Sequence, residues 1–188
     1  FERVARRNAA FLRDLQASGI PLVGIEPAVT LTYRTEYPEA LGEASAPRVL
    51  LLQEWLASRL DDLSRHAMAA RAPYELLPHC TESTQAANSM KDWQRIFGAL
   101  GQALEVARVG CCGMAGTWGH EREHEEQSRR LFRMSWSAKV DDPTRQGRLV
   151  ATGYSCRAQA MRVTGKAIPH PVEALVDLLG RRHDSLER

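Results

Sequence analysis

Long apolar runs are missing from this 188-residue chain: no stretch approaches the roughly 18–20 residues that a membrane span needs. Nor is there a charged, then apolar, then small-residue leader at the start, which opens instead on the amphipathic "FERVARRNAAFLRDLQ". Charge of one sign is equally scarce. The formal net charge is +2, and acidic and basic residues interleave, as in "HEREHEEQSRR". Aromatics make up only 6% of the residues, and with neither a basic stripe nor an interleaved stacking platform, nucleic-acid binding is not expected. The chain lacks an initiator Met and reads as a piece of a longer polypeptide. "GMAGTWG" lacks the spacing and the acidic partner of a dinucleotide fingerprint, so FAD is not expected to bind here.

Cysteine is the scarcity that matters most. Only Cys80, Cys111, Cys112 and Cys156 are present, each beside a turn or an element boundary rather than inside an apolar periodic run, where structural thiols sit as small hydrophobes. With no export signal, the expected compartment is reducing and disulfides are not expected. Adjacent cysteines seldom bond to each other, because the eight-membered ring is strained. Four thiols from three segments near loops therefore suggest a metal or cluster site.

The remaining 44% of apolar residues are arranged to build a core. Helical periodicity marks residues 2–18, ending at Gly19. "IPLVGI" reads as a buried strand, and "EPAVTLTYRTEYPEAL" as one helix with Pro27 in its first turn and Pro38 near its end. "PRVLLLQEWLASRLDDLSRHA" reads as one helix with Leu51, Trp55, Leu56, Leu60 and Leu63 as its buried stripe. "YELLPH" is a strand running into Cys80, "SMKDWQRIFGALGQAL" a helix, and "EVARVG" a strand that delivers Cys111 and Cys112. "HEREHEEQSRRLFRMSWSAKV" is a helix stopped by "DDPTRQG". "RLVATG" is a strand ending before Cys156, followed by two helices, "SCRAQAMRVTG" and "HPVEALVDLLGRR".

Strands alternating with helices of this length predict an α/β fold, a mostly parallel sheet flanked by helices in a Rossmann-like arrangement. In such sheets, sites form beyond the carboxyl ends of the strands. All three cysteine segments fall there, so their thiolates should meet in one crevice. A faint repeat accompanies this pattern: "IPLVGIEPAVTLTYRTEYPEAL" and "RLVATGYSCRAQAMRVTG" share a strand–turn–helix plan, with Glu26-Pro27-Ala28-Val29 in the first copy where the second carries Cys156.

"LPHCTEST", then "VGCCGMAGTWGHE" with thirty residues between Cys80 and Cys111, then "ATGYSCRAQ…HPVEALVDLL" resemble the cysteine-rich CCG domain. That domain occurs in the iron–sulfur component of glycolate oxidase, in one component of the anaerobic glycerol-3-phosphate dehydrogenase and in one component of heterodisulfide reductase. The pattern is most similar to the C-terminal portion of FAD-linked oxidases of the D-2-hydroxyglutarate dehydrogenase type. Several consequences are implied by the resemblance. Residues 1–45 would be the truncated tail of a first CCG-like half, and 46–188 the second half carrying the site. The family's Cys-Pro-x-Cys turn is replaced here by Glu26-Pro27-Ala28-Val29, and its final Cys-x-x-Cys by Gly153-Tyr154-Ser155-Cys156. Four thiols then remain of a usual five, which fits an ordinary [4Fe–4S] cluster, with tetrahedral zinc as the alternative. Adjacent cysteines can ligate two irons of a cluster more easily than one small ion.

The expected metal ligands are thus Cys80, Cys111, Cys112 and Cys156. Gly110 and Gly113 are expected to bind the cofactor, and these two with Gly116 to adopt positive φ and lend amide N–H groups to sulfur. His79 is a candidate ligand for zinc, a hydrogen-bond donor or a plain loop residue. His120 is a candidate capping or lining residue or ligand, Trp118 a shield for the site or a packing residue, and His124, Glu121 and Glu125 a candidate metal face or a solvated one. Glu26 is read as a turn residue or the partner of a basic group.

The function implied is electron transfer in a flavin-dependent 2-hydroxy acid oxidoreductase. The partners would be the flavin domain of the same polypeptide, with FAD bound there, and an acceptor such as a quinone or an electron-transfer protein. The segment alone is not expected to be catalytic. The location would be cytoplasmic or peripheral at the inner membrane. A zinc-bound interaction module and a thiol redox module, pairing Cys112 with Cys156 or Cys80, are the alternatives.

Overall fold

A computed structural model describes residues 1–186, with side chains described as far as residue 180. The chain opens on α1 (Glu2–Ala17), β1 (Val23–Gly24), α2 (Pro27–Thr32) and α3 (Glu36–Leu41). Then come β2 (Leu50–Leu51), α4 (Leu52–Ala57), α5 (Leu60–Ser64), β3 (Tyr74–Leu77), α6 (Cys80–Gln85) and α7 (Ser89–Ala99). β4 (Leu104–Val106), α8 (Glu125–Ser135), α9 (Ser137–Val140), β5 (Leu149–Ala151), α10 (Tyr154–Thr164) and α11 (Pro171–Leu186) complete it.

The α/β reading holds. A parallel sheet of order β4-β3-β5 lies at the centre, pairing Leu76 with Val106 on one side and with Val150 on the other. Its strands are short and their central residues wholly enclosed, with Leu76, Leu77, Val150 and Ala151 all at 0% exposure. Parallel strands buried on both faces need apolar cover on each. One face packs Trp93, Ile96 and Phe97 of α7 with Leu175 and Leu178 of α11. The other packs Phe132, Trp136, Ala160 and Ile168, and also Cys112, Met114 and Cys156. A two-stranded parallel pair, β1 with β2, lies apart, with α1 packed on α3 through Ala5, Ala9 and Tyr37. Among the described residues, no helix is long and apolar enough to cross a membrane.

Three expected helices are broken. The segment 26–41 divides at Tyr33–Thr35, so Pro38 stands early in α3 rather than near the end of a longer helix. Proline tolerates the first turn of a helix but not its interior, where it removes a hydrogen bond and clashes with the preceding turn. The segment 47–67 begins as β2, and its helix breaks at Ser58–Arg59. There Ser58 Oγ donates to the Trp55 carbonyl at 2.6 Å, and the Arg59 guanidinium sits over the Trp55 ring, 4.3 Å from its centroid. Leu56, Leu60 and Leu63 still reach the core, as their spacing predicts. The helix expected from His120 starts only at Glu125, after two 3₁₀ turns.

Candidate metal centre

The sheet order puts β3 between β4 and β5, so three adjacent strands end side by side. Cys80 opens α6 after β3, Cys111 and Cys112 follow β4 through a loop, and Cys156 lies in the first turn of α10 after β5. All four are free thiols. Cys111 is in hydrogen-bond contact with Cys80, and Cys112 with Cys156. Cys112 and Cys156 are buried, while Cys80 and Cys111 are half-buried, so the site is closed at its floor and open at one rim.

The sequence builds the Cys-Cys-Gly turn by pinning its backbone. Gly113 has φ +92°, and a Cβ there would fall 2.2 Å from the Ser128 carbonyl oxygen, so only glycine lets the turn lie against α8. Its N–H donates to Cys111 Sγ at 3.3 Å. Gly119 passes equally close, its would-be Cβ 2.5 Å from the Gly113 oxygen. Gly110 behaves differently from expectation: its φ is not positive, and its N–H goes to Ser135 Oγ at 2.9 Å. Its carbonyl accepts from Trp136 Nε1 at 2.9 Å, so this glycine anchors the loop to α8 and the residue that follows it. Gly116 does have positive φ, as does Ala115.

The thiols do not share one electrostatic environment. The hydrogen bond from Cys156 holds the Cys112 thiol down at about 7, with the Met114 amide helping against burial. The same pairing, reinforced by burial, pushes Cys156 up. Burial also pushes Cys111 up, against the hydrogen bond from Gly113. Cys112 is therefore the sulfur readiest to become a thiolate and bind a soft metal.

Behind the thiols lies a buried polar network. The Glu82 carboxylate, fully enclosed, accepts from Gln53 Nε2 at 2.6 Å, Ser89 Oγ at 3.1 Å and Thr152 Oγ1 at 2.5 Å. Burial raises it to about 6, although these donors oppose the shift. Thr152 in turn accepts the His79 N–H at 3.0 Å, tying the end of β5 to the start of α6. Nothing in the sequence pattern singled out Glu82 or Thr152.

His79 caps α6: its Nδ1 accepts the Thr81 N–H at 3.2 Å. Its ring also fills the space in front of Gly153, where a Cβ would meet His79 Cδ2 at 2.4 Å and Cys156 Sγ at 3.0 Å. A thiol at position 153 therefore has no room unless the imidazole moves. Glu26 takes a backbone donor, its Oε2 accepting the Tyr154 N–H at 2.7 Å, and its charge reaches the His79 ring. Trp118 stacks on His124, with centroids 4.6 Å apart. Glu121, Glu123 and His124 lie within 4.8 Å of one another on an exposed turn, and Glu125 pairs with Arg129.

The donor set, four free thiols, fits a soft metal centre. Among the described residues no three of the thiols lie within 4.8 Å of one another.

Fold and site together define a class: a parallel α/β domain that gathers four thiols from three adjacent strand ends. The chain is 44% identical to a D-2-hydroxyglutarate dehydrogenase of Pseudomonas putida over 181 residues, 96% of this chain but 17% of that protein. It is 45% identical to a D-2-hydroxyglutarate dehydrogenase of Haemophilus influenzae, over 95% of this chain and 18% of that one. More distantly, it is 26% identical to a component of the anaerobic glycerol-3-phosphate dehydrogenase of Escherichia coli, over 92% of this chain and 44% of that component. The resemblance read from the cysteine spacing thus holds, and the chain spans about one sixth of the length of the dehydrogenases it matches. No protein-family model and no solved structure matches the chain.

Proposed function

We propose that this chain is an iron–sulfur electron-transfer domain of a flavin-dependent D-2-hydroxy acid dehydrogenase. Cys80, Cys111, Cys112 and Cys156 would hold a [4Fe–4S] cluster, which supplies one-electron transfer between a two-electron flavin and an acceptor. FAD belongs to another part of the longer polypeptide, and the acceptor is a quinone or an electron-transfer protein. Residues 1–45 then represent the end of a first half and residues from 46 onward the second; 187–188 lie outside the described residues.

The observation that carries this reading is the convergence of four free thiols at neighbouring strand ends. The chain's own groups suit the task. Buried Cys112 and Cys156, packed with Met114, Phe132 and Trp136, keep water from one side of the site. The half-buried rim at Cys80 and Cys111 leaves a short path to a docked donor or acceptor. The Gly113 N–H, already directed at Cys111 Sγ, stabilises thiolate charge. Similarity to dehydrogenases over nearly the whole chain supports the redox assignment.

The test uses the full-length protein carrying Cys112→Ser. D-2-hydroxyglutarate should still bleach the flavin in a single turnover, while steady-state transfer to an external acceptor is lost. Unchanged steady-state turnover would rule out a relay through these thiols.

A further inference from the structure

We propose that Glu26 is a positioning residue that holds the reduction potential of the thiol site low, acting from the N-terminal segment through the helix that carries Cys156. This rests on the cluster reading above. Glu26 is the N-terminal flanking residue of α2, and its carboxylate crosses to the start of α10, where Oε2 accepts the Tyr154 N–H at 2.7 Å. α2 in turn packs on α6, the helix that begins with Cys80. One half-buried carboxylate thus bonds the helix that carries Cys156 and acts through its charge on His79, the residue before Cys80.

Glu26 is read as a neighbour of the thiols and not as a ligand, since its Oε2 is engaged by the Tyr154 N–H. The neighbouring position is closed as well, since the His79 ring occupies the space a side chain at Gly153 would need, 3.0 Å from Cys156 Sγ. What Glu26 supplies is charge and a hydrogen-bond acceptor. A negative charge beside a redox centre favours its more positive, oxidised form. By taking the first amide of α10, the carboxylate also neutralises the positive end of that helix, which would otherwise favour the reduced, more negative form. Both effects lower the potential.

The experiment compares wild type, Glu26→Gln and Glu26→Asp after anaerobic reconstitution with iron and sulfide. Iron and acid-labile sulfide are counted, then the midpoint is read by a redox titration followed by electron paramagnetic resonance. The expected result is equal cluster content in all three, a midpoint shifted positive in Glu26→Gln, and one close to wild type in Glu26→Asp, which keeps the charge. A Glu26→Gln midpoint equal to wild type with the cluster intact overturns the proposal. Loss of the cluster in Glu26→Gln also overturns it, by making Glu26 a requirement for assembly. Wild-type protein that takes up no iron would instead overturn the cluster reading itself, a result the iron count registers separately.

Discussion

β1 passes into α2 through Glu26, and β5 passes into α10 through Gly153, with nearly the same backbone: φ and ψ are −89° and 113° at Glu26, −78° and 130° at Gly153. Three residues beyond those positions stand Val29 and Cys156. Val29 is 59% exposed, whereas Cys156 is fully buried. The same local step thus builds a thiol site in one place and a surface in the other. The difference lies in what surrounds each step: β5 belongs to a three-stranded sheet covered on both faces, while β1 pairs with β2 alone. Gly153 is glycine for space, since its backbone angles suit any residue and its missing side chain makes room for His79. Convergence with other strand ends, more than the turn itself, makes the site.

Exchanging the thiol between the two steps should give the largest effect. Cys156→Ser should reduce iron uptake from about four per chain to almost none, because an open iron leaves the cluster labile. Helical content should stay close to wild type by circular dichroism. Val29→Cys, placed at the matching position of the other step, should leave iron uptake unchanged. Extra iron bound by Val29→Cys would show that the turn alone is sufficient.

Next come the glycines. Gly113→Ala should lower stability by about 4 kcal/mol in urea unfolding, combining positive-φ strain with a clash against backbone. Gly153→Ala has no such strain and meets only a side chain, so a loss of about 2 kcal/mol is expected. Equal losses would mean that the His79 ring cannot yield.

The imidazole caps allow a comparison by pH. His79 Nδ1 accepts from Thr81 N–H, and His170 Nδ1 accepts from Val172 N–H, each at 3.2 Å. Burial, aided by Arg157, lowers His170 to about 4. The unfolded chain therefore takes up the proton first, and the stability from keeping this ring neutral is complete above about pH 6.5 and lost as the pH falls to 4. The whole change is about 3 kcal/mol in magnitude. Glu82, raised to about 6, gives a slope of opposite sign as the pH rises from the ordinary glutamate value. Subtracting the curve of His170→Gln from that of wild type isolates the histidine. A flat difference between pH 4 and 6.5 would contradict this assignment. The smallest effect belongs to Glu26→Ala, which removes one cap from α10 and should cost about 1 kcal/mol.

Much of this was legible in the chain itself. "YELL" and "LVA" fall where strands are expected, β4 forms one residue earlier and ends sooner than the expected "EVARVG", and all three strands are parallel and lead to cysteines, as the alternation with helices requires. The helix breaks were not legible, because an amphipathic period continues through Ser58–Arg59 while local side-chain bonds bend the backbone. Glu82 was hidden because a buried carboxylate looks like any helical surface residue until Gln53, Ser89 and Thr152 arrive from other elements. Glu26 had a signal in the faint repeat that aligns it with Gly153, yet its partner lies 128 residues away. Pairing over that distance is set by packing and leaves no periodic trace.

Whether four converging thiols hold one iron–sulfur cluster is decided by metal analysis. The wild-type protein, reconstituted anaerobically with iron, sulfide and zinc all supplied, should retain about four irons and four sulfides per chain. On reduction it should give a cluster signal in electron paramagnetic resonance, and both metal and signal should be lost in Cys112→Ser. One zinc per chain with no iron and no sulfide would contradict the cluster assignment.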